Sequence, residues 1–159
     1  MAGLTHIALF GEIEDDFFER AHRMVWCAVA TVDGSGRPST RVLHPIWERT
    51  AEGVPVGWIG TWKSSPKGKH LAANPHVSLA YVADVAGPLY VECKAEWANE
   101  REQKQHVWDL FANSEPPLGF DPAPIFKSVD YEDFGVLKLK PWRVQFGDMG
   151  GYRRWVAGQ

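Results

Sequence analysis

The sequence predicts a mainly β protein, a six-stranded antiparallel β-barrel with flanking helices. Six apolar segments have the length and composition of strands, and tight turns join most of them. The segment 89–97 alternates most regularly, with Val91 and Cys93 on one face and Glu92 and Lys94 on the other. Closing such a sheet removes its exposed edges, so we expect a closed barrel.

The N-terminal elements are a helix and a hairpin. Apolar residues at four-residue spacing and an acidic first turn predict a helix over residues 12–23. The apolar run 25–32 is typical of a buried strand. Gly, Ser and Pro within 33–38 predict a turn, and a second strand over 39–47 completes the hairpin.

The third strand, 56–62, leads into a basic turn and a short helix. Ser65 is a favoured N-cap and Pro66 suits the first helical position. Asn74-Pro75 ends the helix about two turns later, and the fourth strand follows at 77–82.

The C-terminal half adds a helix, a long loop and the sixth strand. Asn99 is expected to cap a helix that ends near Asn113, and the Pro-rich loop 114–125 is expected to cover an edge or a pocket. In the last strand, 134–146, the apolar residues change phase at Lys140-Pro141. That change predicts a β-bulge.

The composition fits one domain spanning residues 1–159. The chain is 45% hydrophobic and has a net charge of −3, which argues against non-specific nucleic-acid binding. No apolar run approaches a membrane span, and the N-terminus shows no secretory signal, so we expect a cytoplasmic protein without a membrane partner. The two cysteines, Cys27 and Cys93, are interpreted as buried free thiols.

The basic turn is the leading candidate for a binding site. Lys67 and Lys69 lie in or beside the first helical turn, where cations oppose the helix dipole, and Lys63 precedes it. An anion bound to the free N–H groups would reverse that penalty, although a solvated basic turn is the simpler alternative. Arg41, inside a strand, needs either a carboxylate or a ligand phosphate, and Thr61 is either a β-former or a hydrogen-bonding group for a ligand.

The other groups of candidate residues are weaker indications of a functional site. The histidines have no metal-ligand spacing, no nucleophile arrangement is present, and no catalytic residue is predicted. His44 is interpreted as a half-buried structural residue or a pocket residue. Near the chain end, Trp155 is expected to dock, and a subunit interface is one place for it.

Several segments together resemble one known family. They are Arg41-Val-Leu43, Gly60-Thr61, the block Ser65–Leu79, Lys94-Ala-Glu96 and Leu139–Phe146. In order and spacing these segments resemble the pyridoxamine 5′-phosphate oxidase superfamily, the FMN-binding split β-barrels, over about residues 25–154. The resemblance implies a flavin-dependent oxidoreductase that binds FMN at the interface of a homodimer and acts on a small molecule.

The resemblance also assigns roles to residues of this chain. Arg41 and Lys67 would hold the flavin phosphate, and Ser65 and Pro66 would open the phosphate-binding helix. The ribityl chain and ring would contact five further residues: Val42, Leu43, Gly60, Thr61 and Trp62. Arg153 falls on an arginine that reaches the substrate in the true oxidase.

The chain departs from the family pattern at four positions, Ile46, Pro88, Gly147 and Trp155. We therefore do not expect oxidation of vitamin B6 itself. The deazaflavin F420 is an alternative cofactor, because Lys63 and Lys69 would suit its anionic tail. A third alternative is a non-catalytic flavin or haem binder, with His44 as the first histidine to test as a haem ligand.

Overall fold

The computed structural model describes residues 3–159, which form nine strands and four α-helices. The strands are β1 (Gly3–Ile7), β2 (Cys27–Val32), β3 (Pro38–Leu43), β4 (Ile46–Glu48), β5 (Val56–Trp62), β6 (His76–Tyr81), β7 (Leu89–Trp97), β8 (Phe134–Asp148) and β9 (Gly151–Val156). The helices are α1 (Glu14–Met24), α2 (Pro66–Ala73), α3 (Arg101–Asn113) and α4 (Ala123–Phe126). The prediction of a mainly β fold with flanking helices is confirmed.

The sheet is a split barrel rather than a closed one. Strands β3, β2, β6, β7 and β8 are successive antiparallel neighbours. On the other edge of β8, β5 pairs with residues 134–139 and β9 pairs with residues 143–148. Strand β3 pairs with β2 and β4 pairs with β5, so the hydrogen-bonded ladder is interrupted between them at His44-Pro45.

Two predictions about the strands need correction. The strand expected over 39–47 is divided into β3 and β4, because Pro45 has no N–H to donate to a ladder. The structure also has β1, which runs parallel to β9, and neither was predicted. None of the five residues of β1 is buried, so the strand has no alternation of apolar and polar residues from which it could be predicted.

The predicted bulge in β8 is confirmed, close to the expected position. Glu92 of β7 lies opposite Arg143, whereas the next residue, Cys93, lies opposite Pro141, which leaves Trp142 as the extra residue. The bulge keeps apolar side chains pointing into the core on both sides of it, first Leu137 and Leu139 and then Val144 and Phe146.

The helix boundaries largely match the sequence. Helix α2 runs from Pro66 to Ala73, as predicted. Helix α3 begins at Arg101, and its N-cap residue is Glu100. The expected cap, Asn99, instead accepts a hydrogen bond from the Val136 N–H through Oδ1 at 3.0 Å. Asn99 therefore joins the start of α3 to β8 rather than capping the helix. No helix within residues 3–159 is long and apolar enough to cross a membrane.

Two hydrophobic cores lie on opposite faces of the β5–β8 pair. The main core combines the inward faces of β2, β5, β6, β7 and β8 with the apolar face of α1. A smaller core packs α3 and α4 against β5 and β8, and Phe111, Phe126 and Phe134 supply its aromatic centre. Trp155 is 5% exposed, and its ring centroid lies 5.1 Å from that of Phe10. It is a core residue of its own chain, so it gives no support to a subunit interface.

Candidate functional site

A cavity of about 250 Å³ lies beside the split between β3 and β4. Six of the nine residues predicted to bind a cofactor line it, namely Val42, Leu43, Gly60, Thr61, Trp62 and Lys67. Larger cavities, of about 260, 330, 350 and 590 Å³, lie elsewhere on the surface, but none of them is lined by any of these nine residues. The cavity at the split is therefore the candidate cofactor site.

Lys67 is a buried cation at the polar end of this cavity. Only 7% of the residue is exposed, and its Nζ donates to Thr61 Oγ1 at 2.7 Å and to Ser65 Oγ at 2.6 Å. Among residues 3–159 it forms no ion pair with a carboxylate. Burial lowers the pKa of Lys67, and the nearby Arg41 charge lowers it further, while Asp133 acts in the opposite direction. An ammonium with neutral acceptors and a third free donor is well placed to bind an anion.

Arg41 is the second cation near this end of the cavity. It lies on β3 opposite Val29, and its Nη1 donates to Val29 O at 3.1 Å, Thr31 Oγ1 at 2.7 Å and Ser39 O at 3.1 Å. Burial lowers the pKa of Arg41. All these hydrogen bonds use Nη1, so the remaining edge of the guanidinium is available for a bidentate anion. The alternative of an outer-face salt bridge is not seen within the described residues.

A short polar chain orients Arg41. Thr31 Oγ1 accepts from Arg41 and also shares a hydrogen bond with His70 Nδ1, 2.8 Å away. Sequence reasoning missed both residues, because Thr31 has the pattern of a β-former in a buried strand and His70 lies inside a basic turn. Their link appears only when β2 and α2 pack together.

The start of α2 was located correctly, but Ser65 acts differently from the prediction. Its hydroxyl donates to Trp62 O at 2.7 Å and accepts from Lys67, and it does not cap the helix. Ser65 thereby fixes the turn between β5 and α2 and holds the Lys67 ammonium in place. The first turn of α2 contains no acidic residue, so the helix dipole and Lys67 would both favour an anion there.

Gly60 has a packing reason for being glycine. A Cβ at this position would lie 3.3 Å from Phe111 and 3.4 Å from Phe126 and Phe134. The main chain of β5 thus approaches the aromatic core closely where it passes the cavity. That approach brings Thr61 and Trp62 into the cavity wall.

The other end of the cavity is aromatic. Trp26, Phe111 and Phe120 surround His44 with ring centroids 4.9, 5.5 and 5.3 Å from the imidazole. Burial lowers the pKa of His44 to about 4, so the ring is neutral at pH 7. The loop 114–125 and α4 cover this end, as expected for that loop. Sequence reasoning missed the aromatic lining because each of these rings has the pattern of a core residue.

Arg153, predicted to bind substrate, lies apart from this cavity. Its guanidinium donates to Asp148 at 3.0 Å and to Asp16 at 2.5 Å, and it stacks 4.9 Å from the centroid of Phe146. Arg20 binds the same two carboxylates. Within one chain Arg153 thus joins β9 to α1, and its contact with a substrate stays a prediction.

Comparison with known proteins gives the family. The sequence profile of the pyridoxamine 5′-phosphate oxidase family matches residues 13–146. The chain belongs to this family. The match contains the predicted cofactor residues from Arg41 to Lys67 and ends before Arg153. No protein of curated function matches the sequence.

Solved structures confirm the fold of the family. A Clostridium acetobutylicum protein related to general stress protein 26 is similar at a TM-score of 0.72, with 15% identity over 92% of this chain and 96% of that one. An FMN-binding protein from Nostoc punctiforme is similar at 0.62, with 15% identity over 89% of this chain and 87% of that one. An F420 reductase is similar at 0.58, with 19% identity over 79% of this chain and 93% of that one.

Proposed function

We propose that this chain is a flavin-dependent oxidoreductase that binds FMN and transfers a hydride to or from a small molecule. The observation that carries the proposal is the buried ammonium of Lys67 in the wall of a mainly apolar cavity, with half-buried Arg41 close enough for its charge to lower the pKa of Lys67. Neither cation has a carboxylate partner among residues 3–159, although a buried charge normally needs one. A phosphate group would supply the missing negative charge.

The residues present fit a flavin phosphate and ring. Lys67 and the outer edge of Arg41 would bind the phosphate, with the N-terminus of α2 behind them. The cavity wall from Gly60 to Trp62 and the pair Val42 and Leu43 would contact the ribityl chain and ring. Bound flavin supplies the hydride chemistry, and the chain supplies position, a phosphate grip and a water-poor aromatic enclosure.

We further propose a homodimer with the cofactor at its interface. Val42 is 64% exposed and Trp26 is 58% exposed, although both line the cavity. Large apolar side chains exposed together around a binding cavity are typical of a surface that a partner covers. In this arrangement a second copy of the chain would complete the cavity, and its own residues would supply the remaining contacts.

Two other functions are supported by specific observations. Lys63 and Lys69 are exposed beside the start of α2, and they would suit the longer anionic tail of F420. A non-catalytic flavin or haem binder would use the same cavity, with His44 as the haem ligand.

The free buried thiols of Cys27 and Cys93 suit the reducing cytoplasm, where we place the protein.

The absorbance spectrum of the protein as purified tests the proposal. A flavin spectrum, with FMN released on denaturation, is the expected result. A Soret band would support haem, and a colourless protein that binds added F420 but not FMN would support the deazaflavin. Replacing both Arg41 and Lys67 with Ala should weaken FMN binding at least tenfold with the fold intact, and unchanged affinity would overturn the phosphate assignment.

A further inference from the structure

His44 lies at the split in the barrel, where β3 ends and before β4 begins. The residue is 8% exposed and lines the same cavity as Thr61 and Lys67. Its position is set by the interruption between the two strands, because Pro45 follows it and the hydrogen-bonded ladder stops there. The imidazole therefore belongs to the cavity wall rather than to either core.

One nitrogen of this ring has no partner. Among residues 3–159, Nε2 of His44 is the buried side-chain polar atom without a hydrogen bond. The backbone of Leu118 acts on the pKa of His44 in the sense that favours protonation. One nitrogen of a neutral imidazole carries the hydrogen and the other a lone pair, and we assign the hydrogen to Nδ1 and the lone pair to the unpartnered Nε2. The neutral ring then presents Nε2 as a lone-pair acceptor.

No group among residues 3–159 forms a hydrogen bond with Nε2. Trp26, Phe111 and Phe120 surround the imidazole through their rings. Buried polar atoms without a partner are rare in folded proteins, and those in a binding cavity indicate a missing donor. The donor must come from the molecule or the water that occupies the cavity.

We propose that Nε2 of His44 accepts a hydrogen bond from a ring N–H of the cofactor. The inference rests on the proposed function, in which Lys67 and Arg41 bind the phosphate at the opposite end of the cavity. The oxidised isoalloxazine carries one ring N–H, at N3, and deazaflavin has the same group. An acceptor in an otherwise apolar aromatic enclosure selects this polar edge of the ring over its apolar dimethylbenzene edge.

A ligand pair that differs in this single donor tests the assignment. Apoprotein is titrated with FMN and with FMN methylated at N3, and binding is followed by quenching of flavin fluorescence. We expect the wild-type protein to bind FMN about tenfold more tightly than the methylated form. His44→Leu, which leaves space but no acceptor, should bind both forms equally, and His44→Gln should keep part of the preference through its amide oxygen.

The matched control is His76→Leu, because His76 is exposed beside Trp142 and away from the cavity. This variant should keep the full preference for FMN. A preference that persists in His44→Leu, or one that is absent in the wild-type protein, would show that Nε2 meets only water and would overturn the assignment. A wild-type protein that binds neither ligand would overturn the proposed function itself, and the same titration distinguishes the two failures.

Discussion

The ammonium of Lys67 donates to the hydroxyl oxygen of Thr61 at 2.7 Å, and this buried contact joins the end of β5 to the first turn of α2. Both residues line the cavity. A hydroxyl holds an ammonium in place but does not neutralise it. The chain therefore positions a positive charge at a helix N-terminus, and no carboxylate among residues 3–159 pairs with it.

Lys67→Met should separate binding from stability. Met keeps the length and apolar stem of Lys without the charge, so FMN affinity should fall about ten- to a hundredfold. The apoprotein should lose less than about 1 kcal/mol of unfolding free energy, or become more stable, because an unpaired buried charge is removed. Fluorescence titration and urea unfolding measure the two effects. Lys69→Met, an exposed lysine in the same turn, is the control, and an equal loss of affinity there would contradict a specific role for Lys67.

His44 should make the stability of the apoprotein depend on pH. Burial lowers its folded-state pKa from 6.5 to about 4, so between these values the unfolded chain binds more protons than the folded one. Stability from the neutral ring is therefore present above pH 6.5 and is lost as the pH falls towards 4. Between pH 7 and pH 5 the loss should be about 1 to 2 kcal/mol, allowing for solvent screening.

The comparison that isolates this effect is urea unfolding of the wild-type protein and His44→Leu at both pH values. His22 also has a pKa lowered by burial, and its charge is a minor cause of the lowered pKa of His44, but His22 is present in both proteins. The variant should show the smaller decrease in unfolding free energy. Equal decreases in the two proteins would mean that His44 is not the group that titrates.

The sequence predicted those parts of the fold that local signals encode. The turn residues at 33–38 and the Ser65-Pro66 start of α2 predict the ends of these elements close to where the structure has them. The phase change near Pro141 predicts the position of the bulge. The position of Lys67, Thr61 and Trp62 in the cavity wall was also predictable, because these residues lie in one continuous segment of the chain.

The remaining features depend on contacts between distant segments. The aromatic end combines Trp26, His44, Phe111 and Phe120 from separate parts of the chain, and for these residues the sequence offered a pocket only as one alternative for His44 and for the loop that contains Phe120. Pro45 divides the second predicted strand, but the fold decides that one half pairs with β2 and the other with β5. An apolar pattern does not contain that information.

Asp16→Asn should test the charge cluster that holds β9 and α1 together. Burial alone raises the pKa of Asp16, but hydrogen bonds from Arg153 and Arg20 outweigh it and lower the pKa overall. The stabilisation is therefore present at neutral pH and is lost as the pH falls through the lowered value, below 3.8. The variant should unfold about 1 to 2 kcal/mol more easily at pH 7.

The cluster lies away from the cavity, so FMN affinity of Asp16→Asn should stay within about twofold of the wild-type value. Urea unfolding and flavin titration on the same preparation measure both properties. Glu19→Gln, which removes an exposed partner of Arg23, serves as the control and should leave stability nearly unchanged. A large fall in FMN affinity in Asp16→Asn would contradict the separation of this cluster from the cofactor site.

Val42→Glu should convert the proposed homodimer into monomers. Val42 is 64% exposed and lies opposite Ala28, which in turn lies opposite Ala80, so the outer face of three adjacent strands carries small apolar side chains. We expect light scattering to give the wild-type protein twice the chain mass of 17.9 kDa and the variant a mass near 17.9 kDa. A carboxylate on this face would be desolvated at the interface without a partner, which costs several kcal/mol. Val85→Glu, at an 87% exposed position in the turn before β7, should remain dimeric, and a monomeric wild-type protein would contradict the shared cofactor site.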